Sequence, residues 1–182
     1  MSEELRLNLG AAFTRYKGFT NIDLRETVHV LPENRMDFRK LTKYSDESVS
    51  EIVSCHSFEH IPYFECEGVL REWFRVLKPG AKCHIVLPDF KLFAEEYFAG
   101  RFTHHQLMIN LFAEIDGFFN QPQDWHRSCW DFKSILALAK NVGFKTVRSV
   151  PFSEKNFFAV NEGEWVHLSH CTGSDTHFEL TK

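Results

Sequence analysis

Hydrophobic positions in the first part of the chain fall in short runs separated by polar and turn-forming residues. Residues 5–9, 19–24 and 49–55 read as strands, the last rich in β-branched residues and followed by a break at Pro62. The period then lengthens. Val69, Leu70, Trp73, Phe74 and Leu77 recur at helical spacing, and Pro79-Gly80 is expected to stop that helix. Residues 83–87 return to a buried strand. Phe90, Phe93, Ala94, Tyr97 and Phe98 stripe a second helix closed by Gly100. Leu107, Met108, Leu111, Phe112 and Ile115 mark a third, with Thr103 as its cap and Gly117 as its end. Residues 118–130 keep no period and are rich in aromatic and turn-forming residues, so they predict a long loop of the kind that often carries function. Phe132, Ile135, Leu136, Ala139 and Val142 form a last helix ending at Gly143, and residues 144–150 and 178–181 read as closing strands.

Strands alternating with helices predict right-handed crossovers and a mostly parallel, doubly wound sheet with helices on both faces. No repeat or linker divides the 182 residues, so the expectation is one domain over 1–182 with an inserted lid around 101–130. In such sheets ligands bind beyond the carboxyl ends of the strands. The residues following positions 9, 24, 55 and 87 are therefore the places to inspect.

Composition narrows the field. A hydrophobic content of 43% is enough for a buried core and excludes a mainly disordered chain. The net charge of −4 argues against duplex nucleic acid as a partner. No apolar run is long enough to span a bilayer and the start is acidic, so the expectation is a cytoplasmic protein with no membrane association. Five cysteines without a C-x-x-C pair suggest free thiols, neither a disulfide framework nor a cysteine metal site.

At the first two strand ends, Leu9-Gly10-Ala11-Ala12 gives a small-residue turn, and Asp23-Leu24 places a carboxylate suited to a ribose diol. Gly10 could equally be a plain turn and Asp23 a solvated loop residue. The third strand end carries more. Ser54-Cys55-His56-Ser57-Phe58-Glu59-His60-Ile61 is followed by Arg75-Val76-Leu77-Lys78-Pro79-Gly80-Ala81 and then Leu87-Pro88-Asp89. These elements resemble the L-E-H-I and R-V-L-K-P-G-G elements of class I S-adenosylmethionine-dependent methyltransferases, in particular short members of the type 11 group. With the turn at Gly10, the acidic end at Asp23 and Ala139 to Phe144, the resemblance runs from about residue 5 to 150.

The resemblance implies a Rossmann-like, seven-stranded sheet, S-adenosylmethionine as cofactor, and methyl transfer to an oxygen or nitrogen of a small molecule or glycan. It places Gly10 and Ala11 against the methionine part and ribose, Asp23 with Leu24 at the ribose hydroxyls, and Asp37 with Phe38 at the adenine. Ser54, Cys55 and His56 would line the sulfonium side. Two features depart from the family pattern. Ala11-Ala12-Phe13 stands where the family has further glycines, and residues 11–18 are too few for the usual crossover helix, which is therefore expected to be short or missing. A thinly covered sheet would favour a homo-oligomer.

Deprotonating an acceptor calls for a base, and His126, His56 and His60 are the candidates, with Asp89, Trp125 and Arg127 as substrate contacts. Each has a plainer alternative: Asp89 as a helix cap, His60 as a structural histidine, His126 as a solvated one. No metal ligand set is expected. His56-x-x-Glu59-His60 matches a zinc-protease signature, but that needs both histidines one helical turn apart, and Pro62 interrupts any such helix. The rival from another class is a catalytically silent domain that binds S-adenosylmethionine or S-adenosylhomocysteine, or serves as a scaffold.

Overall fold

Six strands are defined: β1 (Arg6–Leu9), β2 (Thr20–Ile22), β3 (Val49–Cys55), β4 (Leu77–Pro88), β5 (Thr146–Val150) and β6 (Asp175–Thr181). They come from a computed structural model that describes residues 4–12, 16, 18–27, 30–112, 124–150 and 175–182. Their order across the sheet is β2-β1-β3-β4-β6-β5, with β6 running against the others. Six strands are formed among the described residues where the resemblance implies seven. One parallel bridge between Asp23 and Arg35 follows β2, with the Met36 amide donating to the Asp23 carbonyl. A 3-10 turn at Pro32–Asn34 immediately precedes Arg35.

Helices α1 (Cys66–Val76) and α4 (Phe132–Val142) pack together over one face of the sheet. Leu7 and Leu9 of β1, Ile52 of β3, Cys83, Ile85 and Leu87 of β4, and Phe178 and Leu180 of β6 meet Leu70, Trp73, Ile135 and Ala139 in one core. Trp73 is fully buried, donates from Nε1 to the Phe38 carbonyl at 3.0 Å, and meets Phe58 edge-on. Helix α1 ends before the point expected. Leu77 is extended because it pairs with Val49 as the first residue of β4, so Pro79-Gly80 lies within a strand rather than at a helix end. Helix α4 ends as expected at Gly143, which has φ +120° and donates to the Ala139 and Lys140 carbonyls.

The opposite face carries the other parity of each strand and mixes polar residues with apolar ones such as Val53. Asn8 Nδ2 donates to Asn21 Oδ1, and Arg6, Glu51, His84 and His177 form a row across β1, β3, β4 and β6. Among the described residues, Tyr16 and Phe19 pack on Val53 there, and no described helix belongs to this cluster. Helices α2 (Phe90–Phe98) and α3 (His104–Phe112) follow β4 and pack chiefly on each other. The expected end of α3 at Gly117 and the loop's first part, 118–123, lie outside the described residues, as do Phe13 and Cys171. No helix among the described residues is long and apolar enough to cross a membrane.

Candidate active site

The carboxyl ends of β1, β2, β3 and β4 converge as the alternating pattern requires. After β1 the chain turns at Gly10, with φ +68°, and both Gly10 and Ala11 donate their amides to the Ile22 carbonyl of β2. A methyl group on Gly10 would come within 2.3 Å of Ser57 Cβ, so glycine is required there by contact as well as by torsion. Ser57 is buried, donates to the Leu9 carbonyl at 2.9 Å and shares a 2.6 Å hydrogen bond with Ser54 Oγ. These two hydroxyls tie the end of β3 to the turn after β1.

Asp23 ends β2 and is buried; one carboxylate oxygen accepts from the Ala12 amide at 2.7 Å and the other from the Arg25 amide at 2.8 Å. Each oxygen keeps a further lone-pair position, so Asp23 can still accept from a diol. Asp37 is differently placed. Arg39 donates to both of its oxygens, and although burial pushes the Asp37 carboxyl up, that guanidinium holds it below its ordinary value. Its carboxylate is therefore committed to an internal ion pair. Phe38 lies beside the turn, 3.4 Å from where a Gly10 side chain would start, and Leu24 is exposed.

Cys55 and His56 follow at the end of β3. His56 has φ +49°, a conformation that costs a non-glycine residue strain, and its amide donates to the Val86 carbonyl. Phe58–His60 then forms a single 3-10 turn that presents Glu59 inward and His60 beside it. Glu59 is 2% exposed, and neither of its carboxylate oxygens has a properly formed hydrogen bond. His56 Nδ1 lies 3.3 Å and His126 Nε2 3.8 Å from its Oε1. On the other side of the ring, His56 Nε2 is 3.6 Å from Oδ2 of Asp175, the buried first residue of β6. His60 Nδ1 lies 3.2 Å from the Trp125 carbonyl, and the His60 and His126 rings meet edge to face at 5.0 Å. Burial raises the Glu59 carboxyl, but the hydrogen bonding and charge of His56, with the charges of His60 and His126, outweigh it and hold the group down at about 2. His126 is held below its usual value, first by burial and then by His60 and His56, against the opposing pull of Glu59.

The described part of the aromatic loop is fastened to this turn. The Arg127 and Ser128 amides both donate to the Glu59 carbonyl at 2.8 and 3.0 Å. Trp130 is buried against Phe58 and Tyr63 and bridges Asp89, whereas Trp125 and Arg127 are exposed. Arg25, two residues after Asp23, ion-pairs with Asp124 and so joins the loop to the Asp23 end of the sheet. Asp89 caps α2 by accepting from the Lys91 and Leu92 amides and also accepts from the Thr176 hydroxyl.

Residues 13–85 match the family model described as a methyltransferase domain. A methyltransferase structure from Archaeoglobus fulgidus superposes with a TM-score of 0.60 at 12% identity, covering 100% of this chain and 87% of that one. One from Methanosarcina mazei gives 0.59 at 16%, covering 100% and 94%. A possible histamine N-methyltransferase from Thermotoga maritima gives 0.55 at 15%, covering 100% and 84%. The fold is that of a class I S-adenosylmethionine-dependent methyltransferase. No curated protein matches the sequence.

Within this methyltransferase fold, the three candidate histidines come together with Glu59, and the candidate cofactor residues Gly10, Ala11, Asp23, Ser54, Cys55 and His56 share one edge of the sheet. Asp89, at the same edge, is occupied as a helix cap. Ser57 and Asp175 are not among the residues selected from sequence, and Glu59 is named there only within the family element and the zinc-protease pattern. For Glu59 a signal existed: a carboxylate between Phe58 and Ile61, with histidines three residues before and one after, is costly to bury without partners. Asp175 is remote in sequence, and nothing local to it signals the contact with His56.

Proposed function

We propose that the chain transfers the methyl group of S-adenosylmethionine to an oxygen or nitrogen of a small-molecule or glycan acceptor. The observation that carries this reading is the buried Glu59 carboxylate ringed by His56, His60 and His126 at the end of β3, beside the Gly10 turn. Gly10 and Ala11 would pass under the donor, Asp23 would accept from its ribose hydroxyls with the lone pairs left free by Ala12 and Arg25, and Ser54, Cys55 and His56 would line its sulfonium side. S-adenosylmethionine supplies an electrophilic methyl carbon. The protein's tasks are then to align the acceptor, exclude water and take a proton. His126 suits the last, since a buried imidazole with a lowered pKa is neutral near pH 7 and free to accept. Trp125 and Arg127 lie exposed on the same loop, where an acceptor would enter.

A second reading, a silent domain that binds the cofactor or its product, is favoured by one observation: both Asp23 oxygens already hold backbone amides of the neighbouring loops. Calorimetry with S-adenosylmethionine and S-adenosylhomocysteine separates the readings from a scaffold, which binds neither. Asp23→Ala is expected to weaken S-adenosylhomocysteine by about tenfold or more. With an acceptor in hand, His126→Ala is expected to lower turnover by roughly 10²–10⁴ while leaving S-adenosylhomocysteine affinity unchanged. Turnover at the parent rate would remove His126 from the chemistry, and binding without turnover of any acceptor would leave the silent reading.

A further inference from the structure

The group around Glu59 has a property that proton transfer does not use. Glu59, His60 and His126 each offer a ligand atom, and these atoms all lie within 4.8 Å of one another. Glu59 is 98% buried, with both oxygens short of a proper hydrogen bond. The surrounding imidazoles favour the charged carboxylate but approach it at 3.3 and 3.8 Å without proper hydrogen-bond geometry, and a cation between the three side chains would supply the direct contact it lacks. One of the two histidines is oriented from behind: His60 Nδ1 faces the Trp125 carbonyl at 3.2 Å. Backbone carbonyls behind imidazoles are the usual outer partners of metal-bound histidines, since they set the tautomer and aim the other nitrogen at the ion.

We propose that Glu59, His60 and His126 bind a divalent first-row transition-metal ion such as Zn²⁺, Co²⁺ or Mn²⁺. Two imidazoles and one carboxylate suit such an ion better than Mg²⁺ or Ca²⁺, which prefer all-oxygen surroundings. Three protein ligands are the number found in open metal sites, which keep a position for an exchangeable oxygen ligand. Donor atoms within 4.8 Å of one another have to draw together somewhat to close on an ion with bonds of about 2.0–2.2 Å. His56 and Asp175 stand behind Glu59 as positioning residues, with His56 Nδ1 3.3 Å from the carboxylate and Nε2 3.6 Å from Asp175. The proposal rests on the methyltransferase reading above but changes the part played by His126: its free nitrogen would hold the ion instead of taking the proton, and a hydroxyl acceptor in the open position would be made more acidic by the ion.

The test is a titration of chelator-treated protein with Co²⁺, followed by visible d–d absorption, with Zn²⁺ as competitor and no S-adenosylmethionine present. The expected result is one equivalent bound with the intense spectrum of a four- or five-coordinate site. Glu59→Gln and His126→Ala should each weaken Co²⁺ by more than about 100-fold, beyond the roughly 10–100-fold that loss of an orienting partner causes. His105→Ala, exposed on α3, should leave binding unchanged. Because a Glu59 variant could fail to fold, the parent is also examined by proton NMR with Co²⁺ bound, where two exchangeable, strongly shifted imidazole N–H signals are expected. Absence of Co²⁺ and Zn²⁺ binding in the parent, binding unaltered by His126→Ala, or a spectrum without shifted imidazole signals overturns the proposal. None of these readouts depends on the cofactor, so calorimetry with S-adenosylhomocysteine tests the methyltransferase reading separately.

Discussion

Ser57 stands where a side chain on Gly10 would have to go, so the turn after β1 and the end of β3 are mutually dependent. Gly10→Ala is expected to destabilise the fold by about 1–3 kcal/mol, through the contact with Ser57 and through the left-handed torsion. Ser57→Gly in the same chain should recover part of that loss, because it removes the contact and leaves the torsion. Urea denaturation of the two single variants and the double variant measures this as a coupling energy. Additive losses would mean that the two residues do not compete for space. The glycine itself was legible as a turn at a strand end. Its partner was not, because Ser57 acts from 47 positions away through a contact that no periodicity records. The same holds for His126 and Glu59. Each is visible in the sequence as a titratable residue beside an aromatic one, but their 3.8 Å approach is made by the loop's two amides on the Glu59 carbonyl.

Elements were more legible than residues where their ends are set locally. Helix α4 is the clear case: Asp131 accepts from the Ser134 amide at 2.8 Å while Ser134 Oγ accepts from the Asp131 amide at 3.0 Å, and Gly143 closes the far end. Asp131→Ala should cost about 1 kcal/mol and lower the melting temperature by roughly 2–4 °C, read by calorimetry or circular dichroism. A melting temperature equal to the parent's would mean that the box adds nothing beyond what packing of Ile135 and Ala139 already secures. Ends set by tertiary pairing were misread. Leu77 keeps helical spacing with Trp73 and Phe74, yet the sheet takes it, because pairing with Val49 and full burial outweigh one more helical residue.

At the scale of the whole molecule, the two faces of the sheet differ in chemistry, and that sets how stability responds to pH. The face under α1 and α4 is apolar; the other carries Arg6, Glu51, His84 and His177 in a row, with Arg6 Nη1 3.5 Å from Glu51, His84 Nε2 3.2 Å from Glu51 and His84 Nδ1 2.9 Å from His177 Nε2. His84 thus faces the Glu51 carboxylate with Nε2 and shares a hydrogen bond with His177 through Nδ1. Burial, and then the charge that His84 would carry, push His177 down to about 4, with Glu179 opposing. Unfolded, the same imidazole titrates near its ordinary value of about 6.5. Between these values the unfolded chain binds the extra proton and the folded chain does not, so stability falls as the pH drops from about 6.5 towards 4 and changes no further below that on this account. Since His177 is not wholly sealed from solvent, the loss is expected to be on the order of 2 kcal/mol rather than the full value of the shift. Urea denaturation of the parent and of His177→Gln at pH 7 and pH 4.5 tests this. The variant should be less stable than the parent at pH 7, because the hydrogen bond to His84 is altered, and should lose less stability on acidification. Equal losses for both proteins would assign the acid sensitivity to other groups and leave the row as a purely structural feature of this face.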